Sequence, residues 1–194
     1  MIAIVDSGGA NLASVIFAVE RLGKPYIFTA DPDEIAKASH VILPGVGAAG
    51  AAIKTLKERG LVECLRKLTQ PVLGICLGMQ LLFERSEEGD VALLGLLPAQ
   101  VRKFSDIGLP VPHTGWNTFQ ALRENPLLKG LPEKPYAYFV HSYYAPPGDY
   151  TLARTDYGIP FSSVVNRGNL FGCQFHPERS GRDGSLILKN FVEL

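Results

Sequence analysis

Cys76 stands in the run Gly74-Ile-Cys76-Leu-Gly78, with a glycine two residues to either side. Small neighbours let a chain bend sharply from strand to helix, and such a bend pushes the residue at its apex into the open. Residues 71–75 predict a short buried strand. Residues 77–85 predict a helix whose apolar face holds Leu77, Leu81 and Leu82. A thiol at a helix N-terminus also feels a partial positive charge that favours thiolate. The ordinary alternative is a core cysteine, since free cysteine is among the most buried residue types.

A thiol nucleophile needs a base, and the base needs a third group to hold its tautomer. Far downstream, residues 169–176 predict a strand running out into a loop at His176, followed by Pro177 and Glu178. Two positions apart on an extended backbone, His176 and Glu178 project to the same side. Pro177 biases His176 toward that extended conformation. Taken singly, His176 reads as a structural histidine and Glu178 as a solvated carboxylate. With Cys76 they make a coherent Cys-His-Glu triad.

The segments Gly74-Ile-Cys76-Leu-Gly-Met-Gln80 and Phe175-His176-Pro-Glu178 resemble the class I, triad-type glutamine amidotransferases. These enzymes release ammonia from the side chain of glutamine for use at a second active site. Met1-Ile-Ala-Ile-Val-Asp6, Asn11-Leu, Leu43-Pro-Gly-Val-Gly47, His113-Thr-Gly-Trp-Asn117 and Phe139-Val-His-Ser-Tyr143 narrow the resemblance. They are similar, essentially from end to end, to the glutaminase subunits of imidazole glycerol phosphate synthases of histidine biosynthesis. Thr114 departs from the methionine of many relatives, a change that should leave the chemistry alone.

The resemblance implies further roles. An oxyanion formed on attack needs backbone N–H donors; one would be the amide of Leu77, next to the nucleophile, the other the amide of Val46. The ordinary alternative for the 44–47 loop is a strand-to-helix turn. Because a β-branched residue resists positive φ, the Gly45–Val46 peptide is expected to rest with its N–H turned away until a partner's signal flips it. Gly45, Gln80, Glu88, Ser142 and Tyr143 would bind glutamine, Glu88 taking its ammonium group. Without the resemblance, Glu87 and Glu88 read as a solvated acidic turn. The partner implied is a (β/α)8-barrel cyclase, bound as a heterodimer. Asn11, His113, Trp116, Asn117 and Arg179 are the expected interface, Trp and Arg being enriched at hot spots; core packing is the equal alternative for Trp116.

Composition sets outer limits. At 194 residues the chain suits one domain spanning 1–194. With 19 basic and 19 acidic residues it has no electrostatic case for nucleic acid or anionic membrane. No apolar run approaches a membrane span or a signal-peptide core. Three cysteines without a disulfide pattern suit a reducing cytoplasm, and Cys64 and Cys173 read as core residues. His40 precedes a buried strand and reads as structural; His113 and His141 sit near the active edge. No phosphate loop, dinucleotide fingerprint or cluster with metal-ligand spacing is present, so no cofactor or metal is expected. The length leaves no room for a domain that consumes ammonia.

These groups must be held by an α/β fold. Strands predicted at 2–5, 26–28, 41–43 and 71–75 alternate with helices at 11–22, 33–38, 48–57 and 61–68. Such alternation indicates an open, mostly parallel, flavodoxin-like central sheet flanked by helices. A β-rich second half follows, with strands at 136–140 and 161–166 and a terminal helix at 184–192. Ligands of such sheets bind beyond the carboxyl ends of the strands, where Gly45, Cys76 and His176 fall. Two other functions fit the motifs: the glutaminase of another class I enzyme, such as that of vitamin B6 synthesis, or a non-catalytic interaction subunit of the same fold.

Overall fold

The computed structural model describes residues 1–8 and 12–194. Its first half alternates as expected: β1 (Ile2–Val5), α1 (Ala13–Arg21), β2 (Tyr26–Thr29), α2 (Pro32–Lys37), β3 (His40–Gly45), α3 (Ala49–Glu58), α4 (Leu61–Lys67) and β4 (Val72–Cys76). Local chemistry accounts for several ends. Asp31 caps α2 through the amides of Asp33 and Glu34. Gly23, at φ +65°, takes the left-handed conformation that closes α1.

Beyond β4 the chain makes α5 (Leu77–Gln80), then β5 (Phe83–Ser86), β6 (Val91–Ala92), β7 (Leu97–Lys103), β8 (His113–Thr118) and β9 (Gln120–Ala121). It continues through β10 (Tyr136–His141), β11 (Tyr143–Tyr144), β12 (Thr151–Tyr157), β13 (Ile159–Arg167), β14 (Leu170–Cys173) and α6 (Gly181–Val192).

The helix expected at 77–85 is a correction: only one turn forms, and 83–86 is strand. The carbonyls that would continue the helix are taken from outside it. Leu81 O accepts from Leu94 N, Leu82 O from Leu96 N and Leu97 N, and Phe83 O from Gly95 N. Tertiary pairing therefore overrides a run of leucines that periodicity reads as helical. The helix-dipole argument for Cys76 shrinks accordingly, to the free N–H groups of a single turn.

The main sheet runs β2-β1-β3-β4-β14-β13-β12-β9. Pairings from β2 through β14 are parallel and those from β14 to β9 antiparallel, so the sheet is mixed. Both faces of its parallel part are covered. Ile2 and Ile4 pack into one core with Val15, Phe139 and Phe191, whereas Ala3 and Val5 pack into the other with Ile35, Leu56 and Leu65. The β4–β14 pairing sets Cys173 beside Ile75, and the β3–β4 pairing sets Gly45 beside Cys76. Three segments distant in sequence thus end together at one edge of the sheet. A four-stranded sheet, β11-β7-β5-β6, and the antiparallel pair β8–β10 complete the second half. Among the described residues no helix is long and apolar enough to cross a membrane.

Candidate active site

Cys76 occupies φ +53°, ψ −111°, a conformation L-residues rarely adopt. Gly74 and Gly78 make it reachable. A Cβ on Gly74 would lie 2.6 Å from Gly78 O, and one on Gly78 would lie 1.8 Å from Leu43 O. The bend therefore presses directly on the end of β3. Gly45 closes the same contact: a Cβ there would lie 2.5 Å from Gly78 N.

His176 is buried and its backbone is clamped, N–H to Tyr138 O at 3.0 Å and C=O from Ser180 Oγ at 2.7 Å. Its Nδ1 lies 2.8 Å from Glu178 Oε1, which leaves Nε2 for the Cys76 thiol. Burial alone would lower the imidazole pKa; hydrogen bonds to Cys76 and Glu178, and their charges, instead raise it to about 10. The His176–Glu178 pairing is as expected, but its geometry is not an extended strand. Strand β14 stops at Cys173, and Pro177–Arg179 form a 3-10 turn that brings the carboxylate back under the ring.

A cavity of about 400 Å³ opens over these groups, lined by Val46, Gly47, Cys76, Leu77, Gln80, Glu88, Val140, His141, Ser142, Tyr143 and His176 among others. Its size suits a small polar ligand. A larger depression of about 820 Å³, around Leu122, Arg123 and Lys129, has no thiol or imidazole. The Arg123 guanidinium there is spent on the carbonyls of Asp149 and Asn166. Size therefore does not pick out the chemistry; the strained thiol and its imidazole do.

The family model "Glutamine amidotransferase class-I" matches residues 3–194. The chain belongs to the class-I glutamine amidotransferase family. It is 54% identical over 193 residues to an "Imidazole glycerol phosphate synthase subunit HisH" of Idiomarina loihiensis, covering 100% of this chain and 97% of that one. It is 50% identical over 192 residues to the protein of the same name from Haemophilus influenzae, covering 99% and 96%. Among solved structures, a "glutamine amidotransferase" superposes at TM-score 0.77 with 20% identity, covering 99% of this chain and 97% of that one. A glutamine amidotransferase from Thermotoga maritima superposes at TM-score 0.65 with 19% identity, covering 99% and 80%. At such identity the structures speak for the fold alone.

Most residues singled out from sequence line this one cavity, and several do more than expected. Gln80 is buried, and its Nε2 donates to Tyr143 O and to Gln174 Oε1, both at 2.9 Å. Its amide hydrogens are thus engaged by protein, leaving the oxygen to face the cavity. Glu88 is no free acidic turn: one oxygen accepts from Ala49 N at 2.7 Å, at the start of α3. That contact ties Glu88 to the helix following the Gly45–Gly47 loop. Val46 is not among the non-glycine residues with positive φ, and the left-handed position passes to Gly47, at φ +91°.

The expected interface divides. Trp116 is 56% exposed, which removes its core-packing alternative, and Arg179 is exposed. Asn117 is half-buried. His113 is corrected: it is buried, with ring centroids 4.8 Å from Phe139 and 3.9 Å from Tyr157, and shows no face to a partner. Asn11 lies outside the described residues. Cys173 is fully buried as expected, whereas Cys64 sits half-exposed at the margin of the core with Sγ 3.4 Å from Pro32 O. His40 packs edge-on against Phe191 at 5.5 Å. Sequence reasoning missed Gln174, whose Nε2 lies 3.8 Å from Cys76 Sγ. A polar residue two before His176 in an apolar run was the available signal, since period two sets it on the same side.

His113 and His141 give a pH prediction. Burial pushes His113 to about 4 and His141 to about 3, the carbonyl of Tyr143 only partly opposing the latter. Both folded values lie below the unfolded 6.5, so the unfolded chain binds protons that the folded chain refuses. Their contribution is fully present above pH 6.5 and is lost as pH falls toward 4. His176, with its raised value, is protonated in the folded chain throughout and becomes so in the unfolded chain below 6.5, so it opposes this loss only weakly. The full slope is about 1.4 kcal/mol per group per pH unit and develops as pH drops below 6.5, so acidification from pH 6.5 to 5 should cost on the order of 3 kcal/mol. Urea unfolding across that range measures the slope, and His141→Gln should roughly halve it. An unchanged slope in the variant would refute the assignment.

Proposed function

We propose that this chain is the glutaminase subunit of an imidazole glycerol phosphate synthase, a single domain that releases ammonia from glutamine for a cyclase partner in histidine biosynthesis. Full-length similarity to proteins bearing that name supports the reading. The observation that carries it is a strained thiol sharing a cavity with an imidazole whose other nitrogen is held by a buried carboxylate.

In this reading the proton shared by Cys76 and His176 rests on the imidazole, and Cys76 Sγ attacks the side-chain carbonyl carbon of glutamine. Glu178 fixes the ring and stabilises the imidazolium. The amides of Leu77 and Val46 meet the oxyanion, the latter after the loop is switched by the partner. His176 returns the proton to the leaving nitrogen, ammonia departs, and water hydrolyses the glutamyl thioester to glutamate. Gly45, Gln80, Glu88, Ser142 and Tyr143 shape the pocket, with the free oxygen of Glu88 facing the substrate ammonium.

The partner is a (β/α)8-barrel cyclase docked over the cavity mouth as a heterodimer. Trp116 and Val140, exposed at 56% and 39%, share one face of the β8–β10 pair and supply apolar surface, and Arg179 a charge. The reading places the protein in the cytoplasm, where its three unpaired cysteines stay reduced.

The test is glutamate release by the purified chain, alone and with the barrel cyclase and its nucleotide ligand. Low activity alone, rising about 100-fold or more in the liganded complex, is the expected result, within the range of allosteric coupling energies. High activity alone, indifferent to that partner, would assign the site to another acceptor enzyme.

A further inference from the structure

His113 and His141 face each other directly in the β8–β10 ladder, and their rings meet at 3.0 Å, Nδ1 of His113 to Nε2 of His141. What lies at each end fixes where their protons are. Asn117 Oδ1 accepts from Thr118 N at 2.8 Å, which turns Nδ2 toward His113 Nε2 at 3.3 Å. A donor there makes His113 Nε2 the acceptor and puts the proton on Nδ1. That proton is given to His141 Nε2, so His141 carries its own on Nδ1, which donates to Tyr143 O at 2.8 Å. The three links have one direction, and reversing any of them sets lone pair against lone pair.

The chain does not stop at Tyr143. Its carbonyl also accepts from Gln80 Nε2; the same Nε2 donates to Gln174 Oε1; and Gln174 Nε2 donates toward Cys76 Sγ. An unbroken series therefore runs from Asn117, beside exposed Trp116, to the sulfur. His113, His141, Gln80 and Gln174 are buried. Aromatic rings wall the histidines: Phe139 and Tyr157 stack on His113, and Phe104 and Phe161 lie 5.4 and 5.0 Å from His141. The histidine pair is thus buried among rings, so the bond between the two imidazoles constrains the bonds on either side of it.

We propose that Asn117, His113, His141 and Gln174 are positioning residues in a hydrogen-bond network whose two arms, one from Asn117 and one from Gln80, converge on Tyr143 O, and through which the placement of the exposed strand β8 sets the pocket wall and the environment of the Cys76 thiol. The network carries no proton in the reaction. It fixes Tyr143 O and the two glutamine amides, and it aims one N–H at the sulfur. This rests on the glutaminase reading for its meaning, but its geometry is testable apart from activity.

The experiment uses the full chain labelled with 15N-histidine. Long-range 1H–15N spectra at pH 7.5 should show His113 and His141 both protonated on Nδ1. Asn117→Asp keeps the acceptor for Thr118 N but replaces the donor facing His113 by another acceptor. It should move the His113 proton to Nε2 and slow iodoacetamide alkylation of Cys76 by about five-fold. In the complex with the cyclase it should raise KM for glutamine by about the same factor, with a smaller change in kcat. A wild-type His113 protonated on Nε2 overturns the network whether or not the variant folds. So does an Asn117→Asp chain whose Cys76 alkylation stays within about two-fold of wild type. If the wild-type complex releases no glutamate, the functional reading fails, while tautomer and alkylation still decide the network.

Discussion

Replacing Cys76 with alanine should abolish glutamate release by the liganded complex, by about 10⁴-fold or more, while leaving the fold intact. The size follows from what is removed. Without sulfur no thioester forms, and residues acting as one unit lose nearly all their joint effect when the nucleophile goes. The retained fold follows from what is kept. Alanine still has the Cβ that sits at φ +53°, so the backbone strain is unchanged, and only one sulfur atom leaves a partly open cavity. Glutamate production measured with a coupled dehydrogenase, beside a thermal melt, separates the two effects. Cys64→Ala is the control, since that thiol lies on α4 with no contact to the cavity. Retention of more than about 1% activity by Cys76→Ala would be incompatible with covalent catalysis at this sulfur.

The second large effect is on stability. Gly78→Ala places a Cβ 1.8 Å from Leu43 O and 2.8 Å from Leu43 C, atoms of backbone in a buried central strand. No rotamer relieves such a clash; either β3 or the elbow must shift. Overpacking ordinarily costs 1–3 kcal/mol, and a collision with main chain belongs at or beyond the upper end, about 3 kcal/mol. For a chain of this size that lowers Tm by roughly 6–12 °C. Because Leu43 leads straight into Pro44 and the Gly45–Gly47 loop, the same shift should misplace the Val46 amide and depress activity. Gly50→Ala is the instructive contrast: its Cβ would meet only Val91 Cγ1 at 3.7 Å, within helix α3. There alanine should stabilise by roughly 0.5–1 kcal/mol through helix propensity. Urea unfolding of both variants measures the comparison. Equal midpoints would dismiss the view that this elbow is locked onto β3.

What could be read from the sequence was what short segments determine by themselves. The bend at Cys76 depends on glycines two residues away, and the His176–Glu178 pairing on a two-residue spacing. Both survive in the structure, although a 3-10 turn rather than an extended strand makes the second. The alternating first half was legible for the same reason: α2 carries its own Asp31 cap, α1 ends at Gly23, and each helix has an apolar stripe. The failures share a cause. Leu81–Phe83 became turn and strand because segment 93–97 claimed its carbonyls. His113 left the expected interface because the β8–β10 register set it against His141 and between two aromatic rings. Trp116, on the same strand, points the other way and stays exposed. Register across a sheet is a property of pairs, and no single strand announces it.

The place of β14 in the main sheet has a consequence for how the molecule is made. It is the last strand in the chain, yet it lies between β4 and β13. A nascent chain can build β1 through β4 and expose a finished elbow, but β4 then has an open, apolar edge awaiting a segment still to be synthesised. Only when β14, at the end of the antiparallel β12-β13-β14 run, pairs with that edge do His176 and Glu178 arrive beside the thiol. Because His176 and Glu178 follow β14 in the chain, the triad is complete only once β14 has paired with β4, a non-local contact of the kind that forms slowly. Until then, the edge that will complete the site is the surface most exposed to pairing with another chain.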